Sequence, residues 1–145
     1  MRTIDHFIRG GTAGLAVSRT HPVMDPNNGG QQAEVVLGGA DALDRAVAAA
    51  QAAQPAWAAM NPQRRARVMF DYKALVEKHM DELAAMLSAE HGKVIADSKG
   101  DIQRGLEVVE FCCGLPHVLK GDHTIGAGPG IDVTSLRQPL GIGAG

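Results

Sequence analysis

From Ala40 onward the apolar residues recur with a helical period, and the punctuation of that pattern limits what the chain can fold into. Leu43, Val47 and Ala50 stand at i, i+4 and i+7, with Asp41 and Asp44 in the first turn, where carboxylates answer the positive end of the helix dipole. Pro55 has no N–H to donate and is expected to end or kink this helix near Ala53, with Trp57 close behind. The stretch "NPQRRARVMFDYKALVEKH" restarts with Asn61 as N-cap and Pro62 at the first helical position, and Val68, Tyr72, Leu75 and Val76 are its expected apolar face. Met80, Leu83, Ala84 and Leu87 share the next stripe, which Gly92 closes as a C-cap glycine. Ile102, Leu106, Val109 and Cys113 form the last, ending before Pro116. Three to four helices therefore occupy the middle of the chain.

The flanks read as strands. Phe7-Ile8 and Leu15 to Val17 are short apolar pieces separated by Gly10-Gly11 and ended by "DPNNG" from Asp25, a hairpin-like opening. "QQAEVVLGG" gives one more strand before the break at Gly38-Gly39. After Lys120 the glycines at 121, 126, 128 and 130, with Pro129, read as a loop or wide hairpin turn. An extended stretch follows from Ile131 to Gln138; Pro139 cannot donate to a ladder, so a new strand is expected from Leu140.

Composition adds bounds. With 145 residues, 45% hydrophobic and 21% charged, the chain suits one soluble domain. Only 3% is aromatic, so the core is expected to be built from small side chains and to need atoms the chain does not supply. A net charge of −2 gives no electrostatic reason to expect nucleic acid or an anionic membrane as partner. The start, "MRTIDHFIRGG", has no apolar signal region, which makes the cytoplasm the default location. Two adjacent cysteines, Cys112 and Cys113, exclude a disulfide framework.

The motifs that suggest chemistry are few. "GAGPG" and "GIGAG" imitate part of a dinucleotide fingerprint, but neither has a strand before it and a helix after it, so Gly126, Gly128 and Gly130 read as turn residues. Cys113 falls on a buried stripe and no histidine stands at catalytic spacing, so both cysteines read as core. The six histidines show no metal-ligand spacing, and no metal site is expected. "RRAR" from Arg64 reads as a solvated or ion-paired helix face. Arg104 has Asp101 at i−3 and Glu107 at i+3: it is either half of a surface ion pair or a fork of donors aimed at a carboxylate. Gly100 and Gly105 weaken the same helix by about 1 kcal/mol each and are read as room for a closely packed neighbour.

The segments "RRARVMF", "AEHGK", "GDIQRGLEVVEF" and "RQPLG", in this order and spacing, resemble the N-terminal portion of the aldehyde dehydrogenase superfamily, nearest to its CoA-acylating methylmalonate-semialdehyde dehydrogenases. The similarity runs from about Asp5 to the final glycine and is weakest at the start. There "VMDPNNGG" puts Asp25 where the family has asparagine, and Gly143 departs from a usual small apolar residue.

The resemblance implies an α/β fold of aldehyde dehydrogenase type, truncated. Residues 1–130 would be an incomplete N-terminal part of the cofactor domain, 131–139 an oligomerisation strand, and 140–145 the start of the first Rossmann strand. It also implies oxidation of methylmalonate or malonate semialdehyde with NAD, loss of CO2 and transfer of the acyl group to CoA. The catalytic cysteine and most of the cofactor site would lie beyond the equivalent of Gly145, so this chain is given no catalytic or cofactor-binding residue, and NAD and CoA are not expected to bind it alone. One functional residue is implied: Arg104, in "QRG", would bind the substrate carboxylate. Two expectations follow for its role, an inactive fragment of the dehydrogenase or a non-catalytic subunit docking on a full-length paralogue. With strand edges and apolar faces lacking partners, the isolated chain is expected to be poorly soluble, molten or self-associated.

Overall fold

The computed structural model describes residues 1–14 and 19–145. The expected strand from Leu15 to Val17 lies outside the described residues. In chain order the elements are β1 (Arg2–Ile4), β2 (Phe7–Ile8), β3 (Gly11–Thr12), β4 (Thr20–Met24), β5 (Gln31–Val36), α1 (Ala40–Ala59), α2 (Pro62–Lys78), α3 (Met80–His91), α4 (Ile95–Cys113), α5 (Leu115–Val118), β6 (His123–Gly128) and β7 (Ile131–Thr134).

The opening hairpin is β2 against β3, Phe7 facing Thr12. The larger sheet, in the order β1-β5-β4, goes beyond the sequence reading. Its centre is β5, which pairs parallel with β1 and antiparallel with β4 and buries Ala33 and Val36. Pro22 is tolerated because β4 is an edge strand. The turn leaving β4 is fixed by Asp25, whose carboxylate accepts from the Asn27 amide at 2.8 Å and from Asn28 Nδ2 at 2.9 Å. An aspartate therefore does the local work of a turn-closing asparagine.

The helices follow their caps. Asn61 Oδ1 accepts from the Gln63 amide at 2.9 Å with Pro62 directly behind, and Gly92 closes α3 at φ +85°. One boundary is corrected: α1 runs through Pro55 to Ala59. The proline stands near the helix end, so its missing donor deprives only the Gln51 carbonyl and few turns follow to be disturbed. The packed face of α2 is also corrected. The approach of α4 covers Ala66, Met69 and Val76, whereas Val68 and Leu75 stay exposed and Tyr72 is half exposed.

Helices α2, α3 and α4 form the helical core, and apart from Leu106 its buried residues are small: Ala66, Ala84, Ser98 and Cys113, with Ala84 and Ser98 completely buried. The sheet is tied to the end of α3 by Arg2 with Glu90 at 3.4 Å and by Gln32 Nε2 donating to the Ala89 carbonyl at 3.1 Å. Leu43 and Val47 of α1, expected inside, are exposed, because α1 meets little of the described chain besides β2.

Of the two expectations for this stretch, loop or wide hairpin turn, the structure has the hairpin: residues 123–128 form its first strand against β7, turned by Pro129 and by Gly130 at φ +69°. The pairing shifts register between Thr124 and Gly128, and the Gly126 amide donates to Asp132 Oδ1 at 2.8 Å. Here β7 stops at Thr134 rather than Gln138, and residues 140–145 carry no ladder bonds. A strand is defined by a neighbour, and none of the described elements lies alongside them.

Candidate functional site

The site is built on α4. Its inward stripe of buried Ser98, Leu106 and Cys113 with half-buried Ile102 faces α2 and α3, and at 100° per residue Arg104 projects about 160° round the helix from Leu106. Its side chain is 71% exposed. Nη2 donates to Asp101 Oδ1, one turn back. Asp101 is therefore the partner Arg104 takes, and Glu107 is not.

Asp101 is shared. Its other oxygen accepts from Lys93 Nζ, which reaches across from the turn joining α3 to α4. That turn is fixed from inside: Ser88 Oγ donates to the Lys93 carbonyl at 2.7 Å, and Ser88 and Ser98 hydroxyls lie 3.0 Å apart. Two cations flank one carboxylate, which leaves an excess positive charge at the exposed end of the network.

Lys93, Ser88 and Ser98 were not singled out from sequence. Lys93 stood in the quoted "AEHGK", and Ser98 precedes Ile102 by four residues on the buried stripe, so periodicity alone marks it as an interior hydroxyl needing a partner.

The expected close neighbour of Gly100 and Gly105 is corrected. A Cβ on Gly100 would meet only Arg104 Nη1, at 3.9 Å, and one on Gly105 would meet nothing within 4 Å. Gly105 instead lines an open apolar groove of about 350 Å³ among α2, α3 and α4, with Tyr72, Leu83 and Val109.

The other motifs fall elsewhere. Gly126, Gly128 and Gly130 belong to the β6–β7 hairpin. No helix N-terminus follows these glycines among the described residues, so they form no pyrophosphate cradle. Cys113 is buried, its thiol against the Val109 carbonyl at 3.4 Å. Cys112 lines a pocket of about 210 Å³ with Trp57, Arg65 and Met69, smaller than the roughly 300–1,000 Å³ of most ligand pockets. Among the described residues no group of three potential ligands is placed to hold a metal ion, and no helix is long and apolar enough to cross a membrane. Arg64, Arg65 and Arg67 make no ion pair among the described residues. The Lys73 ammonium lies above the usual lysine range, chiefly because it donates to Glu77 Oε1 at 2.5 Å.

Over its whole length the chain is 37% identical to the malonate-semialdehyde dehydrogenase of Pseudomonas aeruginosa, of which it covers 29%. It is 38% identical to malonate-semialdehyde dehydrogenase 3 of Geobacillus kaustophilus over 99% of the chain, covering 30% of that protein. A Sinorhizobium meliloti 1021 protein, described as a methylmalonate-semialdehyde dehydrogenase and solved in complex with NAD, superposes with a TM-score of 0.93 at 52% identity. That match covers 99% of this chain and 29% of the solved one. The methylmalonate-semialdehyde dehydrogenase of Oceanimonas doudoroffii superposes with a TM-score of 0.91 at 41% identity, over 97% of this chain and 28% of that one. The chain thus spans about 30% of the length of these relatives and matches the N-terminal part of their fold. The aldehyde dehydrogenase family model matches residues 15–145, and the chain belongs to that family.

Proposed function

We propose that this chain supplies the frame and one substrate contact of an NAD-dependent, CoA-acylating dehydrogenase for malonate or methylmalonate semialdehyde, with Arg104 receiving the substrate carboxylate. The observation that carries the reading is the state of that side chain: exposed, anchored along one edge by Asp101, with its remaining donors facing no acceptor among the described residues. A planar guanidinium held in this way is suited to bidentate recognition of a second carboxylate. Its place in "QRG" supports the same role.

NAD and CoA would supply hydride and acyl acceptance, and no contact to either is assigned to this chain. Nor is a nucleophile: Cys113 is buried with its thiol against the Val109 carbonyl, and Cys112 lines a pocket beside Trp57, Arg65 and Met69. On this reading the chain alone has no activity. Mixed with NAD, CoA and methylmalonate semialdehyde it yields no NADH above blank; clear turnover would refute the assignment.

The exposed apolar side chains of the β6–β7 hairpin favour a second reading, a non-catalytic subunit that docks on a full-length dehydrogenase or on another copy of itself. Residues 131–139 would then be an oligomerisation strand, and 140–145 would begin a strand completed by a longer chain. Co-purification with a co-expressed full-length paralogue is the discriminating measurement: its absence leaves the fragment reading alone.

A further inference from the structure

We propose that Asp101 is a positioning residue for Arg104, and that Lys93 keeps it from acting as a competitor for that arginine. The inference rests on the reading of Arg104 as the contact for the substrate carboxylate.

A line of contacts runs from the interior to the guanidinium. Ser98 is fully buried; its hydroxyl meets that of Ser88, which donates to the Lys93 carbonyl. Lys93 Nζ and Arg104 Nη2 then donate to different oxygens of Asp101. Exposure rises along this line, from 22% and 32% for the Lys93 and Asp101 side chains to 71% for Arg104, so the carboxylate is the sheltered end and the arginine the end it orders.

An exposed arginine must give up rotamer freedom to hold a ligand, and a fixed carboxylate along one edge removes part of that loss before substrate arrives. A carboxylate facing Arg104 alone would also compete with the substrate for the same donors. Lys93 limits this competition by occupying Oδ2, and the two cations leave net positive charge for one further anion.

The test uses a full-length enzyme in which this chain is joined to the remaining residues of the Sinorhizobium meliloti protein. The paired substrates are malonate semialdehyde and propanal, an aldehyde of the same length without the carboxylate. For Asp101→Asn, KM for malonate semialdehyde is expected to rise about tenfold with kcat within about twofold, propanal kinetics are expected not to move, and Asp101→Glu recovers part of the loss. Lys93→Met gives a smaller loss with the same selectivity, and is the variant read if Asp101→Asn does not fold. A semialdehyde KM that is unchanged or lower, or an equal loss on both aldehydes, overturns the positioning role. Arg104→Ala separates the two levels: if it fails to discriminate the aldehydes, the carboxylate reading itself fails, whereas discrimination by Arg104→Ala without any by Asp101→Asn or Lys93→Met rejects this inference alone.

Discussion

The hydroxyl oxygens of Ser88 and Ser98 lie 3.0 Å apart across the junction of α3 and α4, and Ser98 has no exposed surface. A buried hydroxyl without a partner loses its water and gains nothing, so this contact keeps the pair tolerable inside. Ser98→Ala removes the hydroxyl and leaves the Ser88 oxygen without that partner. It is expected to lower stability by about 1–3 kcal/mol, read from denaturant midpoints.

Gly92 joins two constraints at one position. Its φ of +85° is unfavourable for any residue with a Cβ, and an added Cβ would sit 3.1 Å from the Cβ and Cγ of Pro26 in the turn leaving β4. Gly92→Ala is expected to destabilise by about 1–3 kcal/mol and to loosen the sheet from α3. Hydrogen exchange should show faster exchange of the β5 amides, and a wild-type exchange pattern would count against the coupling.

The β6–β7 hairpin exposes 80% of Ile125, 56% of Ile131 and 52% of Val133, with no described element covering them. Unpaired edges with apolar side chains self-associate. Sedimentation velocity of the 145-residue chain is expected to show concentration-dependent species that Ile125→Lys together with Val133→Lys reduces. A single monomeric boundary in the parent chain, with cooperative thermal unfolding, would refute this.

The Lys73–Glu77 pair predicts the direction of an alkaline effect. The lysine is held above its ordinary range in the folded state, mainly by its hydrogen bond to Glu77, so its contribution is complete below the unfolded-state value and is lost as pH rises through the folded one. Stability should therefore fall more steeply in strong alkali for the parent than for Lys73→Met. Near neutral pH the pair adds no slope. Parallel pH profiles of the melting temperature for the two proteins would contradict this.

Much of the frame was legible in the sequence because helix ends are local chemistry. Asn61-Pro62 and Gly92 each announce a boundary with their own side chain or lack of one, and α2 and α3 begin and end there. Strands were harder to read. β1 lies in a charged opening and exists because β5, some thirty residues on, supplies its ladder; nothing near Arg2 signals that partner. The face of α2 was misread for a similar reason, since Val68 and Met69 are equally apolar and only the direction of α4 decides which is covered. At the candidate site, Arg104 and Asp101 were visible as an i, i+3 pair. Lys93 was not, because it reaches Asp101 across a turn rather than along one helix face.

The small size of the buried residues also changes where the chain should be fragile to substitution. Ala84 has no exposed surface and Ala33 and Ala66 have almost none, whereas Leu75, Phe70 and Leu43 stand largely in solvent. In a saturation mutagenesis map of stability the usual ranking by residue size would invert. The intolerant columns would be alanines, where any added methylene forces two backbones apart, and many leucine and phenylalanine columns would be permissive.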